Sequence, residues 1–145
     1  NCYSQYAVIE KNIALCDNVQ NYGQYWFRTY CYEDAQKQLK EPELCQSLEN
    51  IYSKSYCFMG VGIGLNKAEL CEKVTADEEA KNYCYSSIAE ETTNEKICEK
   101  IVFELEKNSC YANIAAKTKN TKLCEKVTTN SLKELCLWRI KDESK

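Results

Sequence analysis

The sequence predicts an all-α fold: a disulfide-stapled α-solenoid of short antiparallel helical hairpins, about 5.5 repeats of 26 to 29 residues. Three observations predict it: a ladder of eleven cysteines, two apolar stripes at helical spacing, and helix-start residues at fixed offsets from the cysteines.

The cysteines stand at 2, 16, 31, 45, 57, 71, 84, 98, 110, 124 and 136. Taken in pairs from the first, the distance within a pair is always 14, whereas the distance between pairs is 15, 12, 13 and 12. Units therefore begin at Cys2, Cys31, Cys57, Cys84 and Cys110, and a half unit begins at Cys136. Together they form one repeat-array domain over residues 1–145.

Each unit opens with a first helix, A. The residue after the first cysteine is Tyr3, Tyr32, Phe58, Tyr85, Tyr111 or Leu137, and four residues after that cysteine stand Tyr6, Ala35, Val61, Ile88, Ile114 and Ile140. A cysteine and its i+4 partner share one helix face. Start signals such as Thr75 or Asp77, and Thr129 to Ser131, place the start of helix A about six residues before its cysteine. It runs about six beyond, for about 13 residues. A second helix, B, of about 9 residues holds the second cysteine. Leu15, Leu44, Leu70, Ile97 or Leu123 precedes that cysteine, and Val19, Leu48, Val74, Ile101 or Val127 follows three residues later. Asn12, Asn94 and Asn120 lie four residues before it as N-caps, Asn66 five before, and Glu41-Pro42 fills the slot in the second unit.

Cysteine at about 7.6% of the chain approaches the density of disulfide scaffolds, which persist in oxidising compartments. The invariant 14-residue distance favours bonds within units: Cys2–Cys16, Cys31–Cys45, Cys57–Cys71, Cys84–Cys98 and Cys110–Cys124, with Cys136 unpaired or intersubunit. Bonds from each second cysteine to the next unit, which would leave Cys2 over, remain open, because those cysteines are also roughly level across the next turn. Helices this short are marginal alone, so stacking and staples must hold them.

The two-helix repeat resembles the tetratricopeptide and Sel1-like group, over the whole chain, at the level of helix–turn–helix periodicity. The "CYxxIA…LCEKV" pattern lacks that group's Trp, Gly and Pro signature and is similar to cysteine-stapled repeats of secreted or surface archaeal proteins. The resemblance implies protein binding or scaffolding and no inherited catalytic residue.

The chain has no histidine and no C-x-x-C pair, which excludes haem attachment, histidine triads and the common zinc sites. No cofactor and no metal ligand set is expected. Gly60, Gly62 and Gly64 miss the dinucleotide spacing and fall inside a helix A, where close helix packing explains them. Asp77, Glu78 and Glu79 suit a helix first turn, and no acid–base pair stands out. A net charge of −3 argues against nucleic acid as a partner. No run of about 18 apolar residues spells a membrane span. Asn1 reads as a processed or trimmed start.

The expected function is that of a non-enzymatic extracellular or cell-surface scaffold, with its own copies or another protein as partner. In one form the chain polymerises head to tail into a filament. In the other it is a monomeric binding module that recognises a protein or peptide on a concave face. The candidate interface is Trp26 and Phe27, from the aromatic cluster of the longest segment between pairs, and Leu132, Leu135, Trp138 and Ile140 on the last helix, since neither end reads as a capped repeat. Charge supports a joint: residues 110–145 carry a net of +4, leaving −7 for residues 1–109.

Overall fold

The computed structural model describes residues 2–19 and 26–142, with Cys2 and Trp26 described by their backbone alone. Among the described residues every element is helical. The long helices are α1 (Cys2–Ile9), α2 (Trp26–Leu39), α4 (Ile51–Leu65), α5 (Glu78–Thr92), α7 (Glu104–Thr118) and α8 (Asn130–Asp142). Between them lie the short helices α3 (Pro42–Gln46) and α6 (Glu95–Cys98) and the 3₁₀ turns η1 (Ile13–Asn18), η2 (Ala68–Lys73) and η3 (Thr121–Lys126). The long helices are the A elements, and α4, α5, α7 and α8 all begin six residues before their cysteine.

The B elements are shorter than expected: four to six residues rather than about 9. In η1, η2 and η3 the chain turns extended at the apolar residue three after the cysteine, Val19, Val74 or Val127. In every repeat that residue donates its N–H to the cysteine carbonyl and buries its side chain. From the second repeat on, only 12 or 13 residues separate this cysteine from the next and helix A takes up six of them, so the turn out of helix B has to fit in the five or six that remain.

The turn from A to B is one structure used five times. Lys11, Lys40, Asn66, Thr93 and Lys119, each nine residues after the first cysteine, have φ of 48 to 56°. After α4 and α7 the closing bonds run Lys67 N to Gly62 O, Asn66 N to Ile63 O, Asn120 N to Ala115 O and Lys119 N to Ala116 O. These are the paired bonds of a Schellman motif. Asn66 is therefore the left-handed end of α4 and not the expected N-cap; Lys67 holds that place. Asn12, Asn94 and Asn120 do cap, each accepting the N–H two residues on. A side chain in the left-handed region costs about 1 kcal/mol, and four of the five positions carry lysine or threonine.

The disulfides join Cys16–Cys31, Cys45–Cys57, Cys71–Cys84, Cys98–Cys110 and Cys124–Cys136. This corrects the pairing within units and the unpaired state of Cys136: each staple ties the B turn of one repeat to helix A of the next. The Cα separations of 5.4 to 5.9 Å fit a disulfide. The constant 14 residues have another cause, namely the backbone path from helix A through the left-handed residue to the B turn. The linkers vary in length because a loop can absorb a residue and still bring two sulfurs together. The Cys2 side chain lies outside the described residues.

The chain divides into two compact units, residues 1–84 and 85–145, with the boundary inside α5. In the first unit α1 packs on α2 and α2 on α4; in the second α7 packs on α8. The α2–α4 contact explains the glycines. A Cβ on Gly60 would stand 2.7 Å from Glu33 Cα and 2.8 Å from the Tyr32 carbonyl, and one on Gly64 would stand 2.8 Å from Lys37 Cα. Gly60 and Gly64, one turn apart, let the two backbones touch.

Two tests follow from this geometry. Non-reducing peptide mapping should recover the peptide joining Cys45 to Cys57; a peptide joining Cys31 to Cys45 would overturn the connectivity. Gly60→Ala should lower stability by about 2 kcal/mol through overpacking. Gly62→Ala should cost less, because its new Cβ comes no nearer than 3.3 Å to Leu70 Cβ, 3.4 Å to Cys84 Sγ and 3.5 Å to the Lys67 carbonyl oxygen. Urea titration compares the two, and equal losses would sink the account of the close face.

Candidate functional site

Three side-chain patterns recur around the staples. The first is the aromatic residue after the A cysteine. Tyr32, Phe58, Tyr85 and Tyr111 are buried, and a lysine two residues after the B cysteine lies over three of these rings. Lys73 is 4.9 Å from the Phe58 centroid, Lys100 5.5 Å from Tyr85 and Lys126 5.1 Å from Tyr111. A cation on a ring face is worth about 0.5–1 kcal/mol at such sites. Thus "CEK" in "LCEKV" closes the aromatic layer from above.

The second pattern, missed in the sequence, is a buried polar residue two before the A cysteine: Thr29, Ser55, Asn82 and Asn108. Ser55 Oγ accepts the N–H groups of Thr75 and Ala76, both at 3.1 Å. Asn108 Oδ1 accepts Thr128 N–H at 3.2 Å, and its amide donates to the Thr128 and Thr129 hydroxyls. Ser55 and Asn108 thus satisfy backbone N–H groups of the linker that leads to the next helix A. A small hydrogen-bonding residue at one offset in four repeats was the available signal.

The third pattern is tyrosine held by acids. Tyr56 donates to Asp77 Oδ2 at 2.9 Å, while Asp77 Oδ1 caps α5 at Ala80 N. Burial first, then that hydrogen bond, pushes the Tyr56 phenol up to about 12. Burial also raises Tyr32, whose hydroxyl faces Ser53 and Asp17, and Ser53 Oγ itself donates to Asp17. These carboxylates tie the buried hydroxyls of neighbouring repeats in place.

The candidate interface residues separate into three classes. Phe27, Leu135 and Trp138 are exposed, the last at 59%. Leu132 is half-buried. Ile140, at 6% exposure, belongs to the core, which corrects its place in the interface: its position four after the cysteine is buried in every repeat from the second on. The Trp26 side chain lies outside the described residues. Exposed apolar side chains not anticipated include Tyr3, Tyr6 and Ile9 on α1, Tyr30, Ile51, Tyr52 and Tyr83 on α2, α4 and α5, and Val102, Phe103 and Leu105 around the start of α7.

Among the described residues no group of three or more His, Cys, Asp or Glu is placed to hold a metal ion, and no helix is long and apolar enough to cross a membrane. Comparison with protein-family models, curated proteins and solved structures finds no match.

The raised Tyr56 sets a pH dependence. Its folded pKa lies above the ordinary phenol value near 10, so its stabilising share is whole below pH 10 and fades as pH rises from 10 to 12. Wild-type protein should lose more stability over that range than Tyr56→Phe. Thermal melts at several pH values decide it, and parallel losses would remove Tyr56 as the cause.

Proposed function

We propose that the chain is a non-enzymatic extracellular scaffold whose repeats stack as an α-solenoid and continue from copy to copy, head to tail. In this reading it is a self-assembling relative, in architecture, of the tetratricopeptide and Sel1-like repeats, adapted to an oxidising compartment by its staples.

One observation carries the reading. Four residues after the A cysteine, Ala35, Val61, Ile88, Ile114 and Ile140 are at most 6% exposed, whereas Tyr6 is 57% exposed. The same stacking face is thus covered in five helices and open on α1, where Tyr3 and Ile9 extend it. On α8 the opposite condition holds. Two residues after the cysteine, Ser4, Glu33 and Met59 are buried and Ser86 and Ala112 half-buried, yet Trp138 at that position is open beside Leu135. An open leading face and an open trailing face on one repeat type are complementary by construction. A heterologous contact between them propagates unless its rotation closes a ring. The basic stretch 110–145 and the acidic remainder favour that order of approach.

Sedimentation velocity of wild type beside Tyr6→Glu and Trp138→Glu tests it. Both residues are exposed, so each variant should keep the wild-type melting curve and lose assembly, and added salt should weaken wild-type assembly. A wild type that stays monomeric at high concentration overturns the proposal in favour of the monomeric binding module.

A further inference from the structure

The five staples are alike in geometry but not in surroundings. Five residues after the A cysteine, where helix A faces the disulfide of its own B turn, stand Ala7, Gly62, Ala89 and Ala115. All four are buried, and a Cβ on Gly62 would lie 3.4 Å from Cys84 Sγ. In the second repeat the same position is Gln36, with no exposed surface. Its amide Nε2 donates to Cys57 Sγ at 3.1 Å and Cys45 Sγ at 3.5 Å, and to the Glu41 carbonyl at 3.4 Å. Its Oε1 is buried without a partner.

We infer that Gln36 makes Cys45–Cys57 the redox-labile staple of the chain, because its amide is a better partner for the dithiol than for the disulfide. A disulfide sulfur is a weak acceptor and carries no proton. Reduction by a small dithiol breaks the S–S bond, oxidises the reductant to its own disulfide and leaves two S–H groups. One S–H then offers the Gln36 Oε1 the donor it lacks, while Nε2 continues to donate to the other sulfur. Any thiolate formed on the way receives that N–H as a charge-assisted bond, which is roughly twice as strong as the neutral one. A buried acceptor that is unsatisfied in the oxidised state and satisfied in the reduced state shifts the equilibrium toward reduction. Alanine or glycine at the other positions supplies no such group. Opening this staple frees α3 from α4 while leaving the four others in place, so the second repeat is a joint that a thiol-reducing environment loosens first.

The test is equilibrium redox titration of the full chain with dithiothreitol. Differential alkylation and mass spectrometry then report each disulfide separately. Equilibration removes the effect of burial on rate. Cys45–Cys57 should show an equilibrium constant for reduction about tenfold larger than those of the other four, which is about 30 mV for a two-electron couple. Gln36→Leu, of similar size and apolar, should erase that difference while sparing the other staples. If Cys45–Cys57 is not the first reduced in the wild type, or keeps its lead in Gln36→Leu, the inference is wrong. The wild-type order alone decides should the variant fail to fold.

Discussion

Everything in this fold hangs on a covalent bond that reaches forward. Each B turn is a single helical turn of four to six residues, too short to persist alone. Its cysteine is fixed to the next helix A, and that bond does two things at once. It holds the turn in shape, and it fixes the following helix A against it. A disulfide closing a loop of this size removes about 3 kcal/mol of denatured-state freedom in the chain-entropy model. Every other recurring feature answers to the same constraint. The left-handed residue aims the chain back toward the staple, the buried serine or asparagine satisfies the linker beneath it, and the lysine seals the ring beside it.

How legible this was depends on the kind of physics involved. Helix A was readable because cysteine, the i+4 apolar residue and Asp77 are local signals, and the structure starts α5 at Glu78. Asn12, Asn94 and Asn120 were readable as caps for the same reason. The connectivity was misread because two distances competed and the constant one was credited to sulfur. Backbone geometry is the more rigid clamp here, and a linker that varies between 12 and 15 residues marks where the covalent bond does the fixing. The left-handed positions were invisible: Lys40, Thr93 and Lys119 carry none of the glycine signal that usually announces them. Ile140 was assigned to the interface for being apolar near the end, although its register matched Ile88 and Ile114, which are core.

The repeats also differ in how they finish the aromatic layer. In the third to fifth, Lys73, Lys100 and Lys126 cover the ring. In the first two, the corresponding residues are Asn18 and Ser47. There the polar work passes to Asp17 and Ser53, with the Tyr32 hydroxyl turned toward them. One layer of the fold is thus closed by a cation in some repeats and by a buried hydrogen-bonded group in another. Tyr32 is fully buried there, with Ser47 at the lysine's position.

The forward-reaching staples have a mechanical consequence. Pulled along its length, the chain carries load through a disulfide, then through a stretch of polypeptide, then through the next disulfide. The stretches between successive staples, 31–45, 57–71, 84–98 and 110–124, are the ones with the invariant spacing. Each can extend to at most about 50 Å, and all four to the same length. The variable linkers sit inside the covalent loops and bear no tension at all. Between Cys16 and Cys136 the bonds cut the extensible length roughly in half. What remains is a tether that yields in equal steps, so the constancy that misleads a reader about the chemistry makes the strand uniform under strain.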